Sequence, residues 1–266
     1  MHHMLLHALV DSNIAYKASA GRLAGRSTIE CWASAGTVIE LVSDIVDATT
    51  FAQTQARLTR LLALVGDRIL PDPDTLLVWY LGTPLPSEVV AYWVTLARRV
   101  ASAAVYAEVA EIAEAQRVAR DDQRAVFDEG VRDMIRRTNP SADFEQWNVR
   151  LPPKQATEFR DRLWTQDALL DFAASFLMRR TADPPDDVVR AAAPLLEPAY
   201  RLYRGLLYSV ALAGEKLRVN DGIDMTLALP LWQPDWIVVT DDARLRGFAD
   251  LGGIPAGRFR ALSEVL

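Results

Sequence analysis

The sequence predicts an α/β protein interrupted by a long all-helical segment. Three observations lead there. Short apolar runs lie near both ends of the chain, Leu5–Val10 and Trp236–Val239, and each stops at polar or acidic residues, as buried strands of a sheet do. Each run is followed by a helical pattern. Between the two ends the hydrophobic period is helical for more than a hundred residues.

Taken in order, Leu5–Val10 reads as the first strand and Asn13–Leu23 as a helix, closed by the turn Ala24-Gly25-Arg26. Thr28–Trp32 reads as a short strand. In Ala35–Ala48, Val38, Ile39, Leu41, Val42, Ile45 and Val46 make a wide apolar helical face. Thr50 then caps a helix reaching Val65. Arg68-Ile69-Leu70 reads as a brief strand before Pro71-Asp72-Pro73. A long helical stretch opens at Pro86 and runs to Arg137, with a break expected near Asp121. Helical patterns resume over Lys154–Arg180 and Asp186–Leu217. Pro184-Pro185 separates them, and Pro194 and Pro198 are expected to shorten or kink the second. Asp221–Leu229 reads as a short helix and Trp236–Val239 as a buried strand. Asp242 then opens a helix, and Phe259–Leu262 reads as an edge strand. No internal repeat or low-complexity segment is visible.

Composition narrows the function. With 266 residues, half of them hydrophobic, the chain can bury a full core, as one large domain or as one domain with a sizeable insertion. The net charge of −6 argues against a generally basic nucleic-acid binder. Local arginines can still steer phosphate toward a site. Candidates are the pairs Arg98-Arg99, Arg136-Arg137 and Arg179-Arg180, and near the C-terminus Arg244, Arg246, Arg258 and Arg260. For each pair the plainer reading is a solvated helix face.

Cys31 is the single cysteine, which leaves no disulfide framework and no Cys-rich zinc site. The three histidines, His2, His3 and His7, crowd the N-terminus, so a histidine-dependent triad is not expected. His7 reads as a strand residue, and His2 and His3 as part of a loose terminus. The first apolar stretch is short and meets Asp11-Ser12-Asn13, so no signal peptide is expected. No uncharged run approaches the roughly 20 residues that cross a bilayer. A cytoplasmic location with no membrane partner is therefore the expectation.

Four acidic positions stand where strands and helices should end: Asp11, Glu40, Asp224 and Asp242. A carboxylate at the carboxyl end of a parallel strand lies where open α/β sheets hold ligands. Several converging carboxylates repel one another, by about 4 kcal/mol per close pair at an effective dielectric near 20. A divalent cation is the usual relief. Each position also has a plainer role. Asp11 can cap the helix that follows it. Glu40 can point outward from an amphipathic helix. Asp221 competes with Asp224, and Asp241 with Asp242, for cap and ligand. The seven tryptophans could offer stacking surfaces to bases, although core packing is the commoner use of such residues.

The two ends resemble the PIN-domain family of metal-dependent ribonucleases. Asp11-Ser12-Asn13 after an apolar strand is similar to that family's first motif, and Glu40 on an apolar helix to its second acidic position. Asp224 at a helix start, and Thr240-Asp241-Asp242 after a strand, are similar to its third and fourth. The last motif favours Asp242 over Asp241. The resemblance covers roughly residues 5–80 and 205–262. It implies a three-layer α/β/α sandwich with a mainly parallel sheet, formed by residues 1–80 and 205–266, with residues 81–204 as a helical insertion foreign to a compact PIN domain.

The resemblance also implies chemistry. Asp11, Glu40, Asp224 and Asp242 would gather around one cleft and hold Mg²⁺ or Mn²⁺, with Asp11 and Asp242 as the most direct ligands. Ser12, Asn13, Asp221, Thr240 and Asp241 would orient them from a second layer, and Arg244 and Arg246 would contact RNA. The implied activity is endoribonucleolytic, either as the toxin of a toxin–antitoxin pair, with an antitoxin protein as partner, or as an RNA-processing enzyme. The oligomeric state is left open. A non-enzymatic alternative is a PIN-like scaffold whose helical insertion binds a partner. A phosphotransferase is disfavoured, because Asn13 stands where a second Asp would be needed and no Gly-x-x-x-x-Gly-Lys loop occurs.

Overall fold

The computed structural model describes residues 5–266; His2 and His3 lie outside them. The chain forms two compact units. The first comprises the residues up to Asp122, Gln233–Ala243 and Gly257–Leu266. The second comprises Gln123–Trp232 and Arg244–Ala256.

The first unit is built on a five-stranded sheet of β1 (Leu6–Val10), β2 (Ile29–Ser34), β3 (Ile69–Leu70), β4 (Trp236–Val239) and β5 (Phe259–Arg260). All pairings are parallel and the order is β3-β2-β1-β4-β5. In β1 and β4 the run Ala8-Leu9-Val10 lies beside Ile237-Val238-Val239 in register, and all six side chains are buried. Apolar residues on both faces are what a covered parallel sheet requires. Each large side chain so buried stabilises the fold by about 1.5–3 kcal/mol.

The strand order changes direction at β1. From β1 the chain moves outward through β2 to β3, then returns much later to lay β4 and β5 on the other side. The carboxyl ends of β1 and β4 therefore flank the switch point of the sheet, where ligand crevices of open α/β sheets form.

The helices follow from local signals. The pattern expected as one helix over Asn13–Leu23 is divided into α1 (Ser12–Ala15), a 3₁₀ turn (Ala18–Ala20) and α2 (Gly21–Ala24). Lys17 is extended, with φ −89° and ψ 128°, and interrupts the helix. α3 (Ala35–Ser43) starts directly from β2, with the Ser34 hydroxyl accepting from Thr37 N at 3.0 Å. It stops short of Ala48 because Asp47 caps the next helix, α4 (Ala48–Val65). Thr50 is not the cap but its reciprocal partner: Asp47 accepts from Thr50 N, and Thr50 Oγ1 accepts from Asp47 N. α5 (Pro73–Tyr80) begins with Asp72 as cap and proline in its first turn. α6 (Ser87–Ser102) packs on α3, α4 and β3. For that reason residues 81–122 cluster with the sheet, although the sequence suggested an insertion beginning at residue 81.

The expected break near Asp121 falls earlier, around a 3₁₀ turn at Tyr106–Glu108, and α7 (Ala110–Thr138) runs through Asp121 without interruption. The second unit holds α8 (Pro153–Leu163), α9 (Gln166–Leu177), α10 (Asp186–Ala213), α11 (Asp221–Asp224) and a 3₁₀ run (Met225–Trp232). α10 keeps both Pro194 and Pro198 inside a 28-residue helix that packs against α8, α9 and the 3₁₀ run. α12 (Ala243–Gly252) meets α10 so closely at Gly205 and Gly252 that a β-carbon on Gly205 would lie 2.8 Å from Gly252 N. Residues 205–232 and 244–256 cluster in the second unit. The last helix, α13 (Leu262–Val265), belongs to the first unit. No helix among the described residues is long and apolar enough to cross a membrane.

Candidate active site

At the switch point stand the residues that follow β1 and β4. Asp11 N donates to Val239 O at 3.1 Å, which carries the β1–β4 pairing one residue past the strand. Asp11 is extended, with φ −74° and ψ 158°, and caps α1 by accepting from Ser12 N on Oδ1 at 2.6 Å. Its other oxygen accepts from Thr240 Oγ1 at 2.7 Å and from Asn13 Nδ2 at 2.5 Å. The capping role and the site role thus fall on opposite oxygens of one carboxylate.

Thr240 is fully buried and links the two loops. Its hydroxyl donates to Asp11 and accepts from Asp242 N at 3.1 Å and Asn13 Nδ2 at 3.1 Å. Asn13 Oδ1 accepts from Asp241 N at 3.2 Å. Ser-Asn after one strand and Thr-Asp-Asp after its neighbour are therefore one hydrogen-bonded network.

Asp11 is 5% exposed. Burial raises its carboxyl above the ordinary range. The hydrogen bonds from Thr240 and Ser12 oppose that rise, and the charge of Asp242 adds to it. Asp241 and Asp242 differ in what they touch. Asp241 accepts from Leu262 N on Oδ1 at 2.9 Å and pairs with Lys17 Nζ through Oδ2. Its two oxygens tie α13 and the β1 loop together, whereas Asp242 is the carboxylate whose charge reaches Asp11.

Glu40 lies on α3, half-buried among buried neighbours. Its charge acts on Tyr16, the residue that closes α1. Burial pushes the Tyr16 phenol up, Glu40 and Asp44 push it further, and Arg57 opposes them. Asp11, Glu40 and Asp242 all belong to the first unit; Asp221 and Asp224 belong to the second.

In the second unit, Asp224 closes α11 and its N–H donates to Asn220 O at 2.9 Å. Asp221 is buried and accepts from Arg218 N at 2.8 Å. Arg244 grips it with both terminal nitrogens, pairs with Glu215 through Nε and donates to Lys216 O at 2.8 Å. Burial acts to lower the guanidinium pKa, and the bonds and charges of Asp221 and Glu215 more than reverse that, raising it. Arg244 was expected to contact RNA. Its side chain is instead 10% exposed and committed to an internal ion-pair network. Arg246, the other expected contact, is half-buried on α12.

Sequence reasoning missed Lys17, Arg57 and Arg60. The Arg57 guanidinium lies over the Tyr16 ring, 4.2 Å from its centroid, and Arg60 Nη1 donates to Tyr16 O at 3.5 Å. A helical spacing of three places both arginines on one side of α4. Nothing local ties them to residue 16.

Among the described residues, no set of three or more His, Cys, Asp and Glu side chains is gathered as a metal site. Asp11 and Asp242 are the carboxylates at this point of the sheet that could hold a hard cation of the Mg²⁺ kind. Such an ion commonly takes one or two carboxylates, keeps several waters and completes its sphere with substrate phosphate. No protein-family model, curated protein or solved structure matches the chain.

Proposed function

We propose that this chain is a metal-dependent endoribonuclease of the PIN type, with a three-layer sheet domain and Asp11 and Asp242 at its centre. One observation carries the reading. The two motifs that resemble that family, Asp11-Ser12-Asn13 and Thr240-Asp241-Asp242, meet in a single hydrogen-bonded network at the carboxyl ends of β1 and β4, on either side of the sheet's switch point.

The residues divide the work as follows. Asp11 and Asp242 supply the negative oxygens of the centre. Thr240 and Asn13 hold Asp11 by one oxygen, and Ser12 N holds the other, so the carboxylate keeps one orientation. Asp241 fastens the rim by accepting from Leu262 N. A bound Mg²⁺ or Mn²⁺ would supply an activated water and neutralise charge on the scissile phosphate. Glu40, in the same unit, stands in this proposal as an acid that acts on the centre through water. The toxin and RNA-processing roles are both compatible with it.

A second reading, a PIN-like scaffold that binds a partner through its helical unit, has one observation in its favour: no third acid gathers with Asp11 and Asp242 among the described residues. Calorimetric titration with Mn²⁺ separates the two. The nuclease reading expects binding by the wild type that is weakened at least tenfold by Asp11→Asn. Equal binding by both proteins, or none by either, favours the scaffold.

A further inference from the structure

The first unit carries a group of cationic side chains beside the loop that follows Asp11. Three cations converge on the segment that leaves Asp11 through α1. Lys17 follows that segment, is 45% exposed, and pairs with Asp241 of the neighbouring loop. Arg57 covers the ring of Tyr16, and Arg60 reaches the Tyr16 carbonyl. Neither arginine forms an ion pair with an acid among the described residues, in a chain where acids outnumber Lys and Arg by 35 to 29. Contact with the Tyr16 ring holds the Arg57 guanidinium, a group whose N–H donors suit a planar or tetrahedral anion. α4 is 18 residues long, and it packs on α1 and α2, so both arginines stand on a rigid support.

We infer that Lys17, Arg57 and Arg60 form the track for the RNA backbone, binding the phosphates that flank the one to be cleaved. This inference rests on the ribonuclease reading for its choice of ligand. It moves the RNA contact from Arg244, whose guanidinium is held by Asp221 and Glu215, to the unit that carries Asp11 and Asp242. The Lys17–Asp241 pair is exposed enough to exchange its carboxylate for a phosphate at little cost. Single-stranded RNA is the expected ligand.

The test is the binding of a short fluorescein-labelled single-stranded RNA, followed by anisotropy in EDTA over a salt series. Wild-type protein should bind with an affinity that falls steeply with salt. Arg57→Ala/Arg60→Ala should weaken binding about tenfold or more. It should also flatten the log–log salt slope by about 1.4, since each phosphate contact on a single strand contributes about 0.7. Lys17→Ala should remove about another 0.7. Arg57→Lys should keep most of the slope, which loss of packing on Tyr16 alone would not predict. Arg136→Ala/Arg137→Ala, altering an exposed pair at the end of α7, should bind as wild type. Wild-type affinity and slope in Arg57→Ala/Arg60→Ala, or no RNA binding by the wild type, would overturn the track. The two proposals fail separately. Metal-dependent cleavage that needs Asp11 but not the arginines would leave the nuclease and remove the track. Arginine-dependent binding without cleavage in any metal would leave the track and remove the nuclease.

Discussion

Thr240 Oγ1 donates to Asp11 Oδ2 at 2.7 Å, joining residues 229 positions apart in the sequence. Because Thr240 also accepts from Asp242 N, the hydroxyl sets the spacing between the two acids of the proposed centre. The contact exists because β1 and β4 are adjacent and in register, with Val10 opposite Val239, so the residues just past both strands emerge side by side.

Burial of the Asp11 charge is a cost to the fold. Its carboxyl is raised, so in metal-free protein the folded state holds the proton to a higher pH than the unfolded chain does. Stability therefore falls as pH rises from the unfolded chain's range through the folded pKa. Asp11→Asn removes that charge, so its melting temperature in EDTA should fall less between acid and neutral pH than the wild type's does. Thermal melts from acid to neutral pH check this; the same pH dependence in both proteins would contradict it.

Arg244 and Asp221 behave as a buried pair, with side chains 10% and 2% exposed. Removing only the arginine leaves a buried carboxylate without its main partner. Arg244→Ala should cost about 3–5 kcal/mol in urea unfolding. In a double-mutant cycle Asp221→Asn should recover part of that loss. Additive effects of the two substitutions would mean that the pair does not hold the segment between α10 and α11.

Cys31 is buried in β2, and burial pushes its thiol up to about 11. At pH 8 the thiolate is then about one part in a thousand, and the thiolate is the reactive species. Native protein should resist iodoacetamide at that pH and react fully in denaturant. Because this is the single cysteine, one mass measurement reads the outcome. Rapid native labelling would show that β2 opens locally.

Much of the sheet was legible because its central strands carry local signals. The run Trp236–Val239 is apolar on both faces and coincides with β4, and Leu5–Val10 locates β1 to within one residue. Asp11 and Thr240-Asp241-Asp242 were visible as motifs that end those strands. Other features depend on distant partners. Periodicity shows that α6 is amphipathic, but not that it covers α4. The same limit hid the docking of α12 on α10, which rests on two glycines 47 positions apart. Arg244 sits 23 residues from Asp221, and Lys17 sits 224 from Asp241; no short pattern marks either pair. The interruption at Lys17 was missed because the apolar spacing of residues 13–23 suits a helix even though the backbone at Lys17 is extended.

Cleavage of single-stranded RNA by purified protein tests the central claim most directly, with wild type, Asp11→Asn and Asp242→Asn compared in Mg²⁺, in Mn²⁺ and in EDTA. The account predicts metal-dependent cleavage by the wild type that EDTA abolishes. It also predicts a loss of at least about a hundredfold in each variant, while both remain folded, since each substitution removes a charged oxygen from the metal-assisted step and little volume. Cleavage by both variants at the wild-type rate, or no cleavage by the wild type in either metal, would contradict it.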